Sequence, residues 1–155
     1  MGQQQLLLLV LGIVSVGLAV VVGINAFGEN DKKANADAMV TDALRIASDA
    51  QAWDLKPGQF GGSQDNEDLS DLATNGFQRI GYPVSTGGSY VNINATYVFS
   101  ASNSCSTDPA TYFTGSQTVE IYVVGNNTDR LNRVCVAIAG TRATDIATSI
   151  DYDPS

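Results

Sequence analysis

The longest apolar stretch of the chain lies at its beginning. Residues 6–27 contain no charged residue and no proline, and only Ser15 and Asn25 are polar among them. As a helix these 22 residues are about 33 Å long, and the hydrocarbon core of a bilayer is about 30 Å thick. The stretch is apolar on every side, whereas a surface helix of a globular protein carries one apolar stripe. It must therefore be buried in lipid, in partner chains, or in each in turn.

Three interpretations of this stretch compete. A cleaved secretory signal has a basic start and an apolar core of about 7–15 residues, but here the apolar run is longer and no basic side chain precedes it. A plain membrane anchor and a packing helix of a polymer both remain open. Small side chains share one helix face at intervals of about four residues: Gly12, Ser15, Ala19, Gly23 and Ala26. Because small residues let helix backbones approach closely, this face favours the polymer.

A second helical pattern continues from residue 34 to residue 53 without glycine or proline. Its apolar positions recur at spacings of three and four: Val40, Ala43, Leu44, Ala47 and Ala50. Pro57 and Gly58 form the stop signal. The pattern predicts one helix from about Gln3 to Trp53, amphipathic in its second half, with Gly23 and Gly28 as the places where it bends most easily.

From Phe77 onward the period of the pattern changes to two. Strands are predicted at residues 76–82, 90–100, 118–125, 133–139 and 144–151, separated by turn residues. In the second of these, the inward side chains are predicted to be Val91, Ile93, Ala95, Tyr97 and Phe99. Such strands form an antiparallel sheet with one dry face. The amphipathic half of the helix is the only available cover, with Leu44 and Trp53 supplying bulk.

The chain is therefore predicted to be an α+β protein with one long N-terminal helix packed on an antiparallel β-sheet. Three segments follow from the pattern: an apolar helix at 1–27, an amphipathic helix at 28–57 and a sheet head domain at 58–155. Between helix and sheet, residues 59–75 form an acidic loop with a short helical turn at 68–73. The spacing of its carboxylates does not match an EF-hand, so a solvated loop is favoured over a calcium site.

Composition and charge narrow the function classes. The net charge of −8 argues against nucleic-acid binding, which needs a basic face. Histidine is absent, which removes the commonest general base and metal ligand. No nucleophile elbow, phosphate loop or paired-carboxylate motif is evident, so we expect neither an enzyme nor a metal or cofactor site.

Two cysteines and two sequons suggest an exported domain. Cys105 and Cys135 are predicted to form a disulfide that closes about 30 residues and contributes about 3–4 kcal/mol; two free buried thiols are the alternative. Asn94 and Asn126 each begin an Asn-X-Thr triplet, the acceptor sequence for N-glycosylation in an exported protein.

This arrangement resembles a type IV pilin. The resemblance covers the whole architecture, and in sequence it is carried by the start Gln3-Gln4-Gln5-Leu6-Leu7-Leu8-Leu9-Val10 and the small-residue apolar run after it. It implies a subunit that is anchored in the inner membrane through its helix, is drawn by pilus assembly machinery into a helical homopolymer, and presents its head on an extracellular, cell-surface filament. In that family a peptidase cuts after a glycine, so either Gly2 ends a two-residue leader or Met1 is the mature start.

The start of the chain departs from the family pattern. If Met1 is the mature start, Gln5 stands where the family has a glutamate that pairs with a neighbouring amino terminus. Glutamine accepts a hydrogen bond but neutralises no charge. The proline that often breaks the membrane half of the family's helix is also missing.

The sequence therefore predicts a structural filament subunit. Its assembly interface is predicted to comprise Gln3, Gln4, Gln5, Leu6, Leu9, Gly12, Ser15, Ala19, Gly23 and Phe27. A minor pilin or pseudopilin of a secretion or DNA-uptake system is one alternative. A single-pass membrane-anchored extracellular module that binds sugar or protein is another, with Trp53, Tyr82, Tyr90, Tyr97 and Tyr112 as stacking residues. Lys32 and Lys33 after the apolar run favour a cytoplasmic head, whereas the disulfide and the Ser, Thr and Asn content favour the outside.

Overall fold

A computed structural model describes residues 2–63, 68–100, 119–125 and 132–152. Its first element is helix α1, Gly2–Asp54, which runs through Gly23 and Gly28 without interruption. The chain divides into two compact units, Met1–Ala34 and Asn35–Ser155. The first unit is helix alone in its described part, and the second contains the last part of α1 and all the strands.

The part of α1 in the second unit buries one stripe of side chains. Its buried members are Ala36, Met39, Ala43, Ile46, Ala47, Ala50 and Trp53. The spacing of three and four matches the period predicted from the sequence, because only that period keeps one helix face on one surface. The prediction for Leu44 was wrong: its side chain is 39% exposed. Met39 and Ile46 supply the bulk expected of it, together with Trp53.

The strands form one five-stranded antiparallel sheet in which each strand pairs with the next along the chain. They are β1 (Tyr90–Val91), β2 (Ala95–Ser100), β3 (Val119–Gly125), β4 (Asn132–Ile138) and β5 (Ile146–Tyr152). The inward side chains of β2, β3 and β4 join the buried face of α1 in one hydrophobic core. The α+β class and the helix-on-antiparallel-sheet arrangement are thus confirmed.

The strand predicted at residues 76–82 was wrong. Residues Gly76–Arg79 form a short helix, α2, preceded by Asn75 in the left-handed conformation at φ 60°. A Cβ on Gly76 would lie 2.8 Å from the Phe99 ring and 2.9 Å from the Leu72 side chain. This close approach places Phe77 in the core, so tertiary packing overrides the local alternation.

The strand predicted at residues 90–100 is divided in two by a turn at 92–95. The Asn92 carboxamide oxygen accepts hydrogen bonds from the backbone N–H groups of Asn94 and Ala95 at 2.9 and 2.8 Å. An asparagine side chain that bonds ahead along the backbone in this way forms a turn in place of a strand. Ala95, Tyr97 and Phe99 point inward as predicted, but the prediction was wrong for Val91 and Ile93, which are 46% and 93% exposed.

Two further described segments contain short 3-10 turns. One spans Leu69–Ala73, close to the predicted helical turn, and the Asp68 side chain caps it by accepting from the backbone of Ser70. Another, Ala143–Asp145, occupies the start of the last predicted strand, so β5 begins later. Phe77, Tyr82 and Tyr90 extend the core as an aromatic cluster that also contains Tyr97 and Phe99.

Candidate assembly surface

The large apolar side chains of the first unit are exposed on every side of α1. Their exposed fractions lie between 50% at Val10 and 72% at Phe27, and the predicted interface residues Leu6 and Leu9 are 66% and 62% exposed. Among the described residues, none before Ala36 belongs to the buried core. The described part of the chain therefore does not bury this surface.

No contact with another described part of the chain explains the small side chains on one face of the same unit. A Cβ added to Gly12 or Gly23 would meet no atom within 4 Å, apart from the local helix backbone. Glycine in a helix interior costs about 1 kcal/mol relative to alanine. Ser15 satisfies its hydroxyl by donating to the carbonyl of Leu11 at 2.8 Å, as serine does in apolar helices. Gly12, Ser15 and Gly23 therefore add no large side chain and no unsatisfied hydroxyl group to this face.

The predicted glutamines lie in the first turns of α1 and are exposed. Gln3 lies at the end of a shallow surface that large aliphatic side chains line: Leu6, Leu7, Val10, Leu11 and Val14. By the helical period this surface, which we call the bulky side, lies roughly opposite Gly12 and Gly23 of the small face.

Two carboxylates of α1 connect the helix to the sheet side of the second unit, and sequence reasoning did not identify them. Asp42 accepts a hydrogen bond from the Asn92 amide at 2.8 Å and from the Tyr97 phenol at 3.1 Å. Two turns further along the helix, Asp49 accepts a hydrogen bond from the Tyr82 phenol at 2.6 Å. The available signal was the seven-residue spacing of the two aspartates, which places both on one helix face.

These contacts keep both phenols protonated. Burial, followed by the hydrogen bond to Asp49 and its negative charge, raises the pKa of Tyr82 to about 12. Burial is also the main cause that raises the pKa of Tyr97, with the Asp42 carboxylate adding to it. Each phenol is thus held as a hydrogen-bond donor to a helix carboxylate.

The predicted covalent sites are only partly described. Cys135 lies in β4, is 8% exposed and is disulfide-bonded, while its predicted partner Cys105 lies outside the described residues. Asn94 is half-buried in the turn before β2, with its amide nitrogen 3.5 Å from an Asp42 oxygen. Asn126 lies outside the described residues. Glycosylation at either asparagine stays a prediction.

The aromatic residues considered for ligand stacking pack inward instead. Tyr97 is fully buried and Trp53 is 5% exposed, and Tyr82 and Tyr90 pack against the core. The Trp53 indole N–H donates to the carbonyl of Gly61 at 2.9 Å. Tyr112 lies outside the described residues. These four rings do not form an open stacking surface.

Three further observations concern the whole described structure and its relation to known proteins. One described helix, α1, is long and apolar enough to cross a membrane, by length and composition. In the ranges 2–63, 68–100, 119–125 and 132–152, no three His, Cys, Asp or Glu side chains are placed to hold a metal ion. Comparison with known proteins gives no match: no family model, no curated protein and no solved structure is similar to the chain.

Proposed function

We propose that this protein is the structural subunit of an extracellular helical filament and polymerises through the apolar first half of α1. One observation carries the proposal. A 53-residue helix contributes its last part to the core of an antiparallel sheet domain, while its first part leaves every large apolar side chain exposed. Such a helix needs a burial environment that the described residues do not supply.

The large amount of apolar surface exposed on residues 6–27 supports its burial in lipid or against other helices. Residues 6–27 contain 15 large apolar side chains that are at least half exposed. Burying each contributes about 1.5–3 kcal/mol, so the sum exceeds the roughly 5–15 kcal/mol that stabilises a whole domain. Lipid before assembly and neighbouring helices after it would both meet this requirement.

The small face supports helix neighbours over lipid alone. Lipid tails place no demand on side-chain size, whereas close helix packing favours Gly, Ala and Ser at the contact. Gly12 and Gly23 pack against no other described part of the chain. The helix stability that these two glycines cost is offset if the backbone of another helix packs against them.

The architecture resembles that of type IV pilins, and we propose membership of that class of filament. Gln3, Gln4 and Gln5 would then lie at the end of the helix bundle, where amides can bond to one another or to a neighbouring amino terminus. In this role no residue of the chain acts as a catalyst. Export and assembly would require pilus assembly machinery.

A membrane-anchored extracellular binding module is the second candidate, because the same helix is suited to cross a bilayer. A minor pilin or pseudopilin shares the architecture of the leading candidate and differs from it in abundance. A filament subunit and an anchored binding module can be distinguished by whether copies of the chain associate through α1 once lipid is removed.

The test is electron microscopy of material sheared from cells, combined with mass spectrometry of the fibre band. Thin fibres composed mainly of this chain are expected. A chain that stays in the membrane fraction, with no fibre containing it, would overturn the filament function and favour the anchored module.

A paired substitution tests the packing face. Gly23→Leu places a bulky side chain on the small face, and we expect it to abolish or shorten fibres while membrane insertion persists. Gly17→Leu makes the same change on the bulky side, seven residues after Val10, where an added Cβ also meets no atom within 4 Å, and it should leave assembly intact. Equal assembly by both variants would show that the small face is not the contact.

A further inference from the structure

The first 28 residues of the sequence contain no charged side chain. Glu29 is the first carboxylate and Lys32 is the first basic residue. Once processing exposes an α-amine at the start of this segment, that ammonium is the only charge in the apolar half of α1. The helix begins at Gly2 with no acidic residue in its first turn, so no side chain near its start neutralises the charge.

A neighbouring copy in the filament supplies no carboxylate to that amine either. Glu29 lies 26 residues after Gln3, which is about 39 Å along a helix. A parallel copy displaced by that distance brings its Glu29 to the amine, but the apolar run of residues 6–27 is only about 33 Å long. The two apolar runs then no longer overlap and stay uncovered. Copies whose apolar runs pack together therefore leave the ammonium without an anionic partner.

An unpaired ammonium is unfavourable at this position for two reasons. Burial among apolar side chains removes its hydration, and a neutral acceptor such as the Gln5 amide offers hydrogen bonds without the missing negative charge. The N-terminal end of a helix also carries a partial positive charge, which repels a cation there. Assembly through the apolar half of α1 is therefore favoured by a terminus that carries no charge.

Gln3 removes this charge by its own chemistry when it is the first residue of the mature chain. A cut after Gly2 places it there. A Cβ added to Gly2 would meet no atom within 4 Å, apart from the local helix backbone, so no packing contact in the described structure explains a glycine at that position. An amino-terminal glutamine cyclises, whereas a glutamate does so far more slowly. Gln4 and Gln5 have no free α-amine and stay open.

We propose that Gln3 is the mature amino terminus of the filament subunit and that it is cyclised to pyroglutamate. The α-amino nitrogen attacks the side-chain carbonyl carbon Cδ and forms the C–N bond of a five-membered lactam. The bond between Cδ and Nε2 breaks, and the side-chain nitrogen leaves as ammonia with the proton that the amine gives up. The reaction needs no oxidant, reductant or second substrate. The proposal rests on the filament function and names a modification that prepares the terminus for burial.

The lactam removes the charge and keeps a donor and an acceptor at the terminus. Its N–H donates and its carbonyl oxygen accepts, so it can bond to the Gln4 or Gln5 amides of neighbouring copies. Neutral hydrogen bonds of this kind are compatible with apolar surroundings when both partners are satisfied. A neutral terminus also needs no glutamate at the start of the helix to pair with it, and none is present.

Mass spectrometry of sheared fibres tests the proposal on the wild-type chain. The amino-terminal peptide is expected to begin at Gln3 and to be lighter than the unmodified peptide by the mass of one ammonia. Pyroglutamate aminopeptidase should remove this residue and expose Gln4. An isotope-labelled synthetic peptide of the same sequence, added before digestion, measures any cyclisation during preparation. A peptide that begins at Met1 or Gly2, or at Gln3 with its ammonia retained, overturns the proposal while the filament function stands.

A pair of variants separates the effect of the charge from that of the side chain. Gln3→Ala leaves the amine free, whereas Gln4→Ala removes a neighbouring amide and still allows Gln3 to cyclise. After removal of detergent at about pH 7, Gln3→Ala is expected to leave about tenfold more subunit unassembled than the wild type, and Gln4→Ala to match the wild type. Because an α-amine titrates near pH 8, Gln3→Ala should regain assembly at about pH 9, where the wild type should not change.

The peptide masses also establish where each variant is cut. A Gln3→Ala chain that is cut after Gly2 and assembles like Gln4→Ala, or whose defect does not change with pH, contradicts the role of the modification in assembly. If no fibre contains the wild-type chain, the filament function fails and the inference fails with it.

Discussion

The Tyr82 phenol donates a 2.6 Å hydrogen bond to the Asp49 carboxylate, which joins the segment before β1 to helix α1. The Asp42 carboxylate makes the corresponding connection to Tyr97 and Asn92 two turns earlier. The helix is thus held to the sheet domain both by apolar packing and by two polar contacts on the same helix face.

Removal of the Tyr82–Asp49 bond is expected to lower stability. Tyr82→Phe keeps the ring in its aromatic contacts and removes only the donor, which should reduce the free energy of unfolding by about 1–2 kcal/mol. Urea unfolding in detergent, followed by fluorescence of the single, buried Trp53, measures it. A double-mutant cycle with Asp49→Ala, which removes the acceptor, should give a coupling energy, and additive losses would mean that the bond contributes nothing.

Loss of the Asp42 carboxylate should be more damaging than loss of a neighbouring one. Asp42→Ala removes the carboxylate that accepts from the buried Tyr97 phenol and from the Asn92 amide, at an expected loss of about 2–3 kcal/mol. Asp37→Ala, on the exposed face of the same helix, is the control and should change stability by less than about 0.5 kcal/mol. Similar losses for both variants would contradict the assigned role of Asp42.

Stability is expected to fall at alkaline pH. A phenol in the unfolded chain titrates near pH 10, whereas in the folded chain the pKa of Tyr82 is raised to about 12 and that of Tyr97 is raised as well. The folded state therefore binds more protons, so the stabilisation is complete below about pH 10 and is lost as pH rises towards about 12. Urea midpoints across this window should decrease less in Tyr82→Phe than in the wild type; equal slopes would count against the assignment.

The buried alanines of α1 are expected to tolerate no enlargement. Ala47 is fully buried between the helix and the core, so Ala47→Leu should destabilise the domain by about 1–3 kcal/mol or more through overpacking. Ala52→Leu adds the same atoms at an exposed position of the helix. Thermal unfolding should separate the two variants, and a stable Ala47→Leu domain would show that the core has room.

The long helix and most of the strands could be predicted from the sequence, because hydrophobic periodicity is a local property. The positions of Ala43, Ala47 and Ala50 repeat at the helical spacing, and Val119, Ile121 and Val123 alternate as a half-buried strand requires. The apolar first half of α1 was equally evident, since its composition alone excludes a solvated helix.

The errors arose where a contact distant in sequence decided the structure. Gly76 and Phe77 read as a strand, but close packing of Gly76 against Phe99 places them in a helical turn. Ile93 reads as an inward strand residue, but the Asn92 side chain turns the chain there and binds Asp42, 50 residues away in sequence. Leu44 fits the apolar stripe in spacing, yet it lies just outside the face that the sheet covers.

By itself the sequence determined the α+β class, the long helix and its uncovered apolar half, because each depends on hydrophobic spacing over neighbouring residues. Only the tertiary structure decided which polar side chains join the helix to the sheet, and which apolar residues remain exposed on rigid turns. Those outcomes depend on pairings such as Asp49 with Tyr82, whose members are 33 residues apart. No local pattern records such a pairing, since it exists only once the helix and the sheet have packed together.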